Sequence, residues 1–176
     1  MGGDVTEELT TERLSLRRPR PADVDAIFAI HADPLACAHN PSDALATLAE
    51  AAELFERWDG HWQRHGFGYW VVRPHDSAET LGFCGVKYVD ERVLNLFYRF
   101  APDNWGNGVA TEAATAVVRW TAQLPSHAVI ARVRPDNVAS QRVAVRAGLS
   151  RAAHLDGEGY DGFDWVYGSG LLAEGG

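Results

Sequence analysis

The stretch Trp105-Gly106-Asn107-Gly108-Val109-Ala110-Thr111 carries residue types suited to holding an anion. Upstream lies an apolar, strand-like run from Val93 to Ala101, and downstream Ala110, Ala113, Ala114, Val117 and Val118 recur at helical spacing. The motif therefore opens a helix. First-turn amides of a helix lack internal acceptors and lie at the positive end of its dipole, where a phosphate satisfies them. Gly106 and Gly108 permit close backbone approach and conformations that a Cβ forbids. Strand, glycine turn and helix together read as a phosphate cradle. A dinucleotide fingerprint needs a third glycine and an acidic residue about 20 positions on; the region near that offset holds Pro125, Ser126 and His127. No Lys-Ser or Lys-Thr follows a glycine, which excludes a P-loop.

The elements that must position this cradle follow from pattern. Glu12 to Arg18 alternates Leu14 and Leu16 with polar neighbours and reads as a first strand, stopped by Pro19 and Pro21. A helix opening at Ala22-Asp23 carries Val24, Ile27, Phe28 and His31, and Pro34 ends it. A second helix, capped by Ser42 or Asp43, places Leu45, Leu48, Ala52, Phe55 and Trp58 at roughly helical spacing. Strands follow at Tyr69–Val72 and Leu81–Val89, the latter with glycines that imply a bulge or close backbone approach. Beyond the cradle helix, a strand spans His127 to Arg134, and Asp136 or Asn137 caps a helix that ends at Gly148. Last strands near Ser150–Leu155 and Phe163–Gly170 flank the acidic, glycine-rich loop Asp156 to Gly162. Residues 1–8 read as a flexible lead-in, with a single domain over 9–172.

Bulk composition narrows the class. The 176 residues, 46% hydrophobic and 23% charged, suit one globular domain with a real core. No apolar run approaches the roughly 18 residues of a membrane span. The acidic opening MGGDVTEELTTE has no signal-peptide pattern, and Cys37 and Cys84 cannot form a disulfide framework, which suits a reducing cytoplasm. A net charge of −8 argues against a nucleic-acid binder. Against that background, Arg132, Arg134, Arg142, Arg146 and Arg151 form a local basic run opposed only by Asp136, a patch able to greet phosphates.

Separated segments of the chain resemble a single family. Trp105-x-x-Gly108-x-Ala110 resembles the acyl-CoA pyrophosphate loop of GNAT N-acetyltransferases, in which an Arg or Gln, two residues, Gly, one residue and Gly or Ala follow in order. A Trp at the first position with Ala-Thr-Glu-Ala behind it is similar to the branch that acetylates ribosomal-protein N-termini. The Thr11-x-Arg13-Leu14-x-Leu16-Arg17 opening, the Gly66-Phe67-x-x-Trp70 and Gly82-Phe83-Cys84-Gly85 strands, and the segment Asn137-x-x-Ser140-x-Arg142-Val143 to Gly148-Leu149 match the same family. The resemblance implies an α/β acyl-CoA N-acyltransferase fold, a mixed twisted sheet of six or seven strands with about four helices on both faces. It further implies acetyl-CoA as cosubstrate and a primary amine as acceptor. Phe100, Ala101, Trp105, Gly106, Asn107, Gly108, Val109, Ala110, Thr111, Asn137 and Arg142 are then the expected acetyl-CoA contacts, with Phe100 and Ala101 offering backbone groups from a splayed strand edge.

Asn137, Ser140 and Ala144 share one helix face, since spacings of three and four align. The resemblance puts Asn137 on the pantetheine arm and Ser140 near the thioester sulfur; an N-cap and a first-turn serine would satisfy the pattern equally. Ser140 and Tyr98 compete as proton donor to the thiolate. Relatives carry a Glu base on the strand before the cradle, where this chain has Asn95, which cannot accept a proton. Either the acceptor is an α-amine of pKa about 7.7–8.0 rather than a lysine of about 10.4, or a base comes from Asp90, Glu91, His31, His39, Asp161 or Asp164.

His61 and His65 stand four apart, yet no Glu lies between them and no third ligand is evident, so no metal is expected. The aromatics Trp58, Trp62, Phe67, Tyr69 and Trp70 read as core. Cys84 has no adjacent His to support a covalent route. Glu112 is assigned to the helix dipole rather than to catalysis. The expectation is a cytoplasmic N-acetyltransferase, monomeric or homodimeric, acting on a peptide or protein N-terminal amine. The alternatives are a small-molecule amine acetylase, with a closed acidic pocket in place of an open groove, and a CoA-binding module without turnover.

Overall fold

The computed structural model describes residues 7–125 and 128–169. The expected lead-in at residues 1–6, His127 at the head of its strand and Gly170 at the end of another lie outside the described residues. Glu8, assigned from sequence to the lead-in, instead begins a strand. The order is β1 (Glu8–Thr10), β2 (Leu14–Arg17), α1 (Val24–His31), α2 (Leu48–His65), β3 (Tyr69–Pro74), β4 (Gly82–Tyr88) and β5 (Val93–Phe100). Then come α3 (Val109–Trp120), β6 (Ala128–Val133), α4 (Val138–Arg146), β7 (Ser150–Arg151), β8 (Gly157–Gly159) and β9 (Gly162–Gly168). The strands align as β1-β2-β3-β4-β5-β6-β9-β7, with β8 paired to β9 at the side. Short β1 and β8 raise the strand count above the expected six or seven, and the expected Ser150–Leu155 strand shrinks to Ser150–Arg151 with a 3-10 turn behind it.

The sheet is antiparallel except where β5 meets β6. That parallel contact covers Val93↔Ala128, Leu94↔Val129 and Asn95↔Ile130 and then stops. β5 continues along β4 as far as Gly82↔Phe100, and β6 continues along β9 as far as Val133↔Trp165. The sheet thus forks beyond Asn95.

Alternation of side chains distributes the core between the two faces. Trp70, Val72, Cys84, Val86, Leu94, Leu96 and Phe100 pack with Ala113, Val117 and Trp120 of α3 and Ala144 of α4. Val71 and Phe83 point the other way, toward Ile27 and Ile30 of α1 and Ala51, Phe55 and Trp58 of α2. The aromatic stripe belongs to the core as expected: Trp62 meets Trp70 edge-on at 5.4 Å, and both are buried. Among the described residues no helix is long and apolar enough to cross a membrane.

The helix caps depart from expectation at one end. α2 starts at Leu48, and Thr47 caps it, its Oγ1 accepting from the Glu50 N–H at 3.1 Å while Glu50 Oε1 accepts from the Ala46 N–H. This reciprocal box wins because it satisfies first-turn donors that Ser42 and Asp43 do not reach from their own 3-10 turn, Pro41–Asp43. Such a cap is worth about 1 kcal/mol, whereas full burial of one large apolar side chain is worth about 1.5–3 kcal/mol. Packing of Phe55, Trp58 and Trp62 therefore holds α2 in place, and Thr47 sets where it starts.

The glycines of β4 mark close approach rather than a bulge. Gly85 pairs with Tyr69, and a Cβ there would collide with the main chain of Gly68 and Tyr69. Because the obstacle is backbone, it cannot swing aside. Gly85→Ala is expected to cost about 3 kcal/mol, the upper end of overpacking penalties, read as a lowered midpoint in chemical denaturation.

Candidate active site

A cleft of about 680 Å³ opens along the fork, lined by β5 from Asn95 to Phe100, the loop into α3, the exposed face of α4 and the turn between β8 and β9. Strand alternation decides which main-chain groups face it. The Ala101 N–H donates to Leu81 O of the preceding connection at 2.9 Å, so odd-numbered residues here turn toward β4 and Leu96, Tyr98 and Phe100 turn into the fork. β6 pairs with neither Tyr98 nor Phe100 there, and Leu96, whose N–H makes the last rung to Ile130, keeps only its carbonyl for the fork. This corrects one expectation. Ala101 has no free group, since its carbonyl also accepts from the Asn104 N–H at 2.9 Å. The Phe100 carbonyl is engaged by the Trp105 indole N–H at 3.0 Å, which leaves its N–H for the cleft.

The cradle takes the expected form. Gly106 and Gly108 have φ of 86° and 80°, left-handed values that a Cβ resists, and the space a Gly106 Cβ would enter is open to at least 4 Å. Gly108 is the N-cap of α3 with no side-chain cap, and its carbonyl accepts the first helical bond, from Glu112 at 3.0 Å. The N–H groups of Val109, Ala110 and Thr111 are left without intrahelical acceptors, and all of these residues line the cleft. Open space above glycines at an uncapped helix start fits the diphosphate of an acyl-CoA. Asn107 is the exception in the loop: it does not line the cleft, and its carbonyl accepts from Arg13 Nη1 at 2.9 Å.

Arg13, within the Thr11-x-Arg13-Leu14 opening, is a site neighbour that no local pattern in the sequence marks. Its Nε donates to Glu112 Oε1 at 2.6 Å and its main-chain N–H to Glu112 Oε2 at 2.9 Å, while the Thr11 hydroxyl donates to the same carboxylate. Burial alone would raise the Glu112 pKa; these donors outweigh it and hold the carboxyl below its ordinary range. Glu112 thus ties the β1–β2 hairpin to the cradle, a more specific role than attraction to the helix dipole.

Across the fork, Tyr98 and Ser140 meet. The Tyr98 hydroxyl donates to the Ser140 carbonyl at 2.7 Å and lies 2.6 Å from Ser140 Oγ. The competing proton donors are therefore parts of one hydrogen-bonded pair. Asn137 is the N-cap of α4, its Oδ1 accepting from the Ser140 N–H at 3.1 Å. Of the basic run, Arg132, Arg142 and Arg146 line the cleft. Arg151 binds Asp156 at 2.6 Å, and Arg134 sits near Asp164 at 3.7 Å and donates to the Phe163 carbonyl.

The candidate bases separate by position. Asn95 lines the cleft with its Oδ1 buried and without a hydrogen-bond partner. His31 is enclosed in the core beside Trp58 and Phe83 and outside the cleft; burial, reinforced by Arg99, lowers its pKa to about 4. Asp90 caps its own turn, accepting from Arg92 and Val93, and neither it nor Glu91 lines the cleft. His39, Asp161 and Asp164 do line it. Asp161 accepts from the Ser42 N–H at 2.9 Å and hydroxyl at 2.6 Å, while Asp43 binds Arg99 at 2.9 Å. His39 stands 3.3 Å from Asp136. Burial raises the Asp164 carboxyl above its usual range.

Elsewhere both His61 ring nitrogens are engaged, one with the Phe67 carbonyl at 2.7 Å and one by the Tyr88 N–H at 3.2 Å, so His61 has no electron pair left for a metal. Cys84 is fully buried, and burial pushes its thiol above the ordinary range, which leaves it inert.

The comparisons with known proteins agree with this geometry. An acetyltransferase (GNAT) domain profile matches residues 13–150. An uncharacterized N-acetyltransferase, YoaA of Bacillus subtilis (strain 168), is 25% identical over 150 residues, 84% of this chain and 85% of its own. The crystal structure of an acetyltransferase from Agrobacterium tumefaciens str. C58 is 27% identical with a TM-score of 0.76, covering 92% of each chain. RimL, a ribosomal L7/L12 alpha-N-protein acetyltransferase in complex with coenzyme A, shares the fold at 17% identity and a TM-score of 0.75, over 92% of this chain and 97% of that one. With a forked sheet, an uncapped glycine cradle and a family profile spanning most of its length, the chain belongs to the GNAT acetyltransferase family.

Proposed function

We propose that this acetyltransferase moves an acetyl group from acetyl-CoA directly to a primary amine of low basicity, foremost the N-terminal amine of a peptide or protein. The observation that carries the reading is the fork, where Tyr98 and Phe100 turn main-chain groups that β6 does not pair into the cleft beside the Tyr98–Ser140 contact, with the glycine turn at one end. Acetyl-CoA supplies an acyl thioester, already activated toward an amine. The chain's part is then to hold its reactants together and to manage protons, so proximity accounts for much of the rate. The N–H groups of Val109, Ala110 and Thr111 and the glycine turn hold the diphosphate; Phe100 N–H, Asn137 and Arg142 lie along the path of the arm.

Tyr98 holds a proton at Oη for the sulfur leaving group, and Ser140 orients that hydroxyl. Burial pushes the Tyr98 phenol above its ordinary value, so it stays protonated through the physiological range. Asn95 removes a carboxylate base from β5, so the acceptor must reach the cleft largely neutral. An α-amine of pKa about 7.7–8.0 does so, and a lysine of about 10.4 does not. RimL, which has the same fold, acts by its description on a protein α-amine.

A second reading, a small-molecule amine as acceptor, is favoured by one feature. Ser42 and Asp161 join from opposite walls of the cleft, beside the Asp43–Arg99 pair, and so narrow the end away from the cradle. Turnover of short peptides against polyamines and free amino acids separates the two readings.

Calorimetric titration is expected to give micromolar acetyl-CoA binding, abolished in Gly108→Arg, which forces a long side chain into a position with φ of 80°. Tyr98→Phe is expected to lower kcat by about 10²-fold while acetyl-CoA binding persists. With a peptide acceptor, kcat/KM should rise with pH only through the amine's own value of about 7.7–8.0. It should then stay level, since a raised phenol pKa extends the protonated form of Tyr98 to higher pH. A second controlling ionisation below the amine's own would instead point to a base supplied by the enzyme.

A further inference from the structure

We propose that Arg13, from the turn between β1 and β2, is a coenzyme A ligand that supplies the cationic charge the cradle itself lacks. The inference rests on the acetyl-CoA reading and extends it to a residue on a distant element. From Trp105 to Thr111 the loop carries no Lys or Arg, and the protein bears a net charge of −8, so a diphosphate approaching α3 meets amide dipoles within an anionic field. Arg13 is the cation fixed against that loop. Its Nε is held by Glu112 at 2.6 Å and its Nη1 by the Asn107 carbonyl at 2.9 Å, which sets the plane of the guanidinium. The remaining Nη2 lies 3.4 Å from where a Gly108 Cβ would stand, at the mouth of the helix.

The side chain is 49% exposed while its partner Glu112 is 19% exposed, so the ion pair is buried on its anionic side and open on its cationic side. A purely structural pair gains nothing from that asymmetry. A ligand-facing pair requires it, because Glu112 fixes the guanidinium without occupying Nη2. As a brace Arg suits this arrangement better than Lys, because its planar fork holds the Glu112 carboxylate along one edge and the Asn107 carbonyl along another; the positive charge it brings to the helix mouth is one a Lys would share. Arg132, Arg142 and Arg146 line the cleft from the α4 and β6 side of the fork, whereas Arg13 stands outside that lining, at the rim beside Gly108. Arg13 approaches the helix mouth from the hairpin side, so the diphosphate is met by positive charge on both sides.

The test is calorimetric titration of CoA and of dephospho-CoA, which keeps the diphosphate, into the wild type, Arg13→Gln and Arg13→Lys, with thermal melts of each. Arg13→Gln should weaken both ligands about tenfold, the scale of one charge-assisted hydrogen bond. Its binding should also respond less to added salt than that of the wild type. Arg13→Lys, which keeps the charge but cannot brace the loop in two directions, should recover most of the affinity even if its melting temperature falls. Equal losses in both variants would make Arg13 a brace only and overturn the proposal, as would wild-type affinity in Arg13→Gln. A loss seen with CoA but not with dephospho-CoA would move the contact off the diphosphate and overturn it as well. If the wild type bound neither ligand, the acetyl-CoA reading itself would fall and this inference with it; normal wild-type binding with unaffected variants would remove this inference alone.

Discussion

The constraint on which the site depends is the end of parallel pairing between β5 and β6 after Asn95. A sheet interior normally satisfies every main-chain N–H and C=O, and each buried orphan costs free energy. Here β5 stays with β4 and β6 stays with β9, and the groups of Tyr98 and Phe100 face a gap instead of a neighbouring strand. One of them, the Phe100 carbonyl, is satisfied by Trp105. The others open onto the cleft.

Two contacts between remote parts of the chain keep that gap in a defined shape. Tyr98 spans the fork to Ser140 on α4, so the spacing between β5 and α4 is set by a short hydroxyl contact. The β1–β2 hairpin braces the far end through Glu112, where donors from Thr11 and Arg13 converge on one carboxylate. The carboxylate is largely screened from solvent, so these bonds are stronger than an exposed ion pair would be. They fix the start of α3 relative to the sheet, and therefore the direction in which its first-turn amides point.

The opposite end of the cleft is built on different chemistry. The 3-10 turn Pro41–Asp43 supplies Ser42 to Asp161 and Asp43 to Arg99, while Asn95 contributes a neutral amide. His31, near Arg99, is kept neutral by burial and belongs to the core beneath this end. This part of the cleft therefore presents hydrogen-bonding groups and paired charges, Ser42 with Asp161 and Asp43 with Arg99.

Much of the fold was legible in the sequence because its signals are local. The strand, glycine turn and helix around Gly108, the Asn137 cap and the aromatic core stripe all follow from neighbouring residues and fixed periods. Strands as short as Glu8–Thr10 and Gly157–Gly159 escaped, since three residues show too little alternation and are strands only because a partner pairs with them. The α2 cap was misplaced for a related reason: several polar residues precede the helix, and only the folded chain shows that Glu50 reaches back to Ala46 and Thr47. What the sequence by itself determined was the family, the strand, glycine turn and helix around Gly108, and the absence of a carboxylate at Asn95. Tertiary structure alone decided which distant groups meet: Tyr98 with Ser140, Ser42 with Asp161, and Arg13 with the cradle. Those contacts join positions tens of residues apart, and no local periodicity records a distance that is set by how whole elements pack.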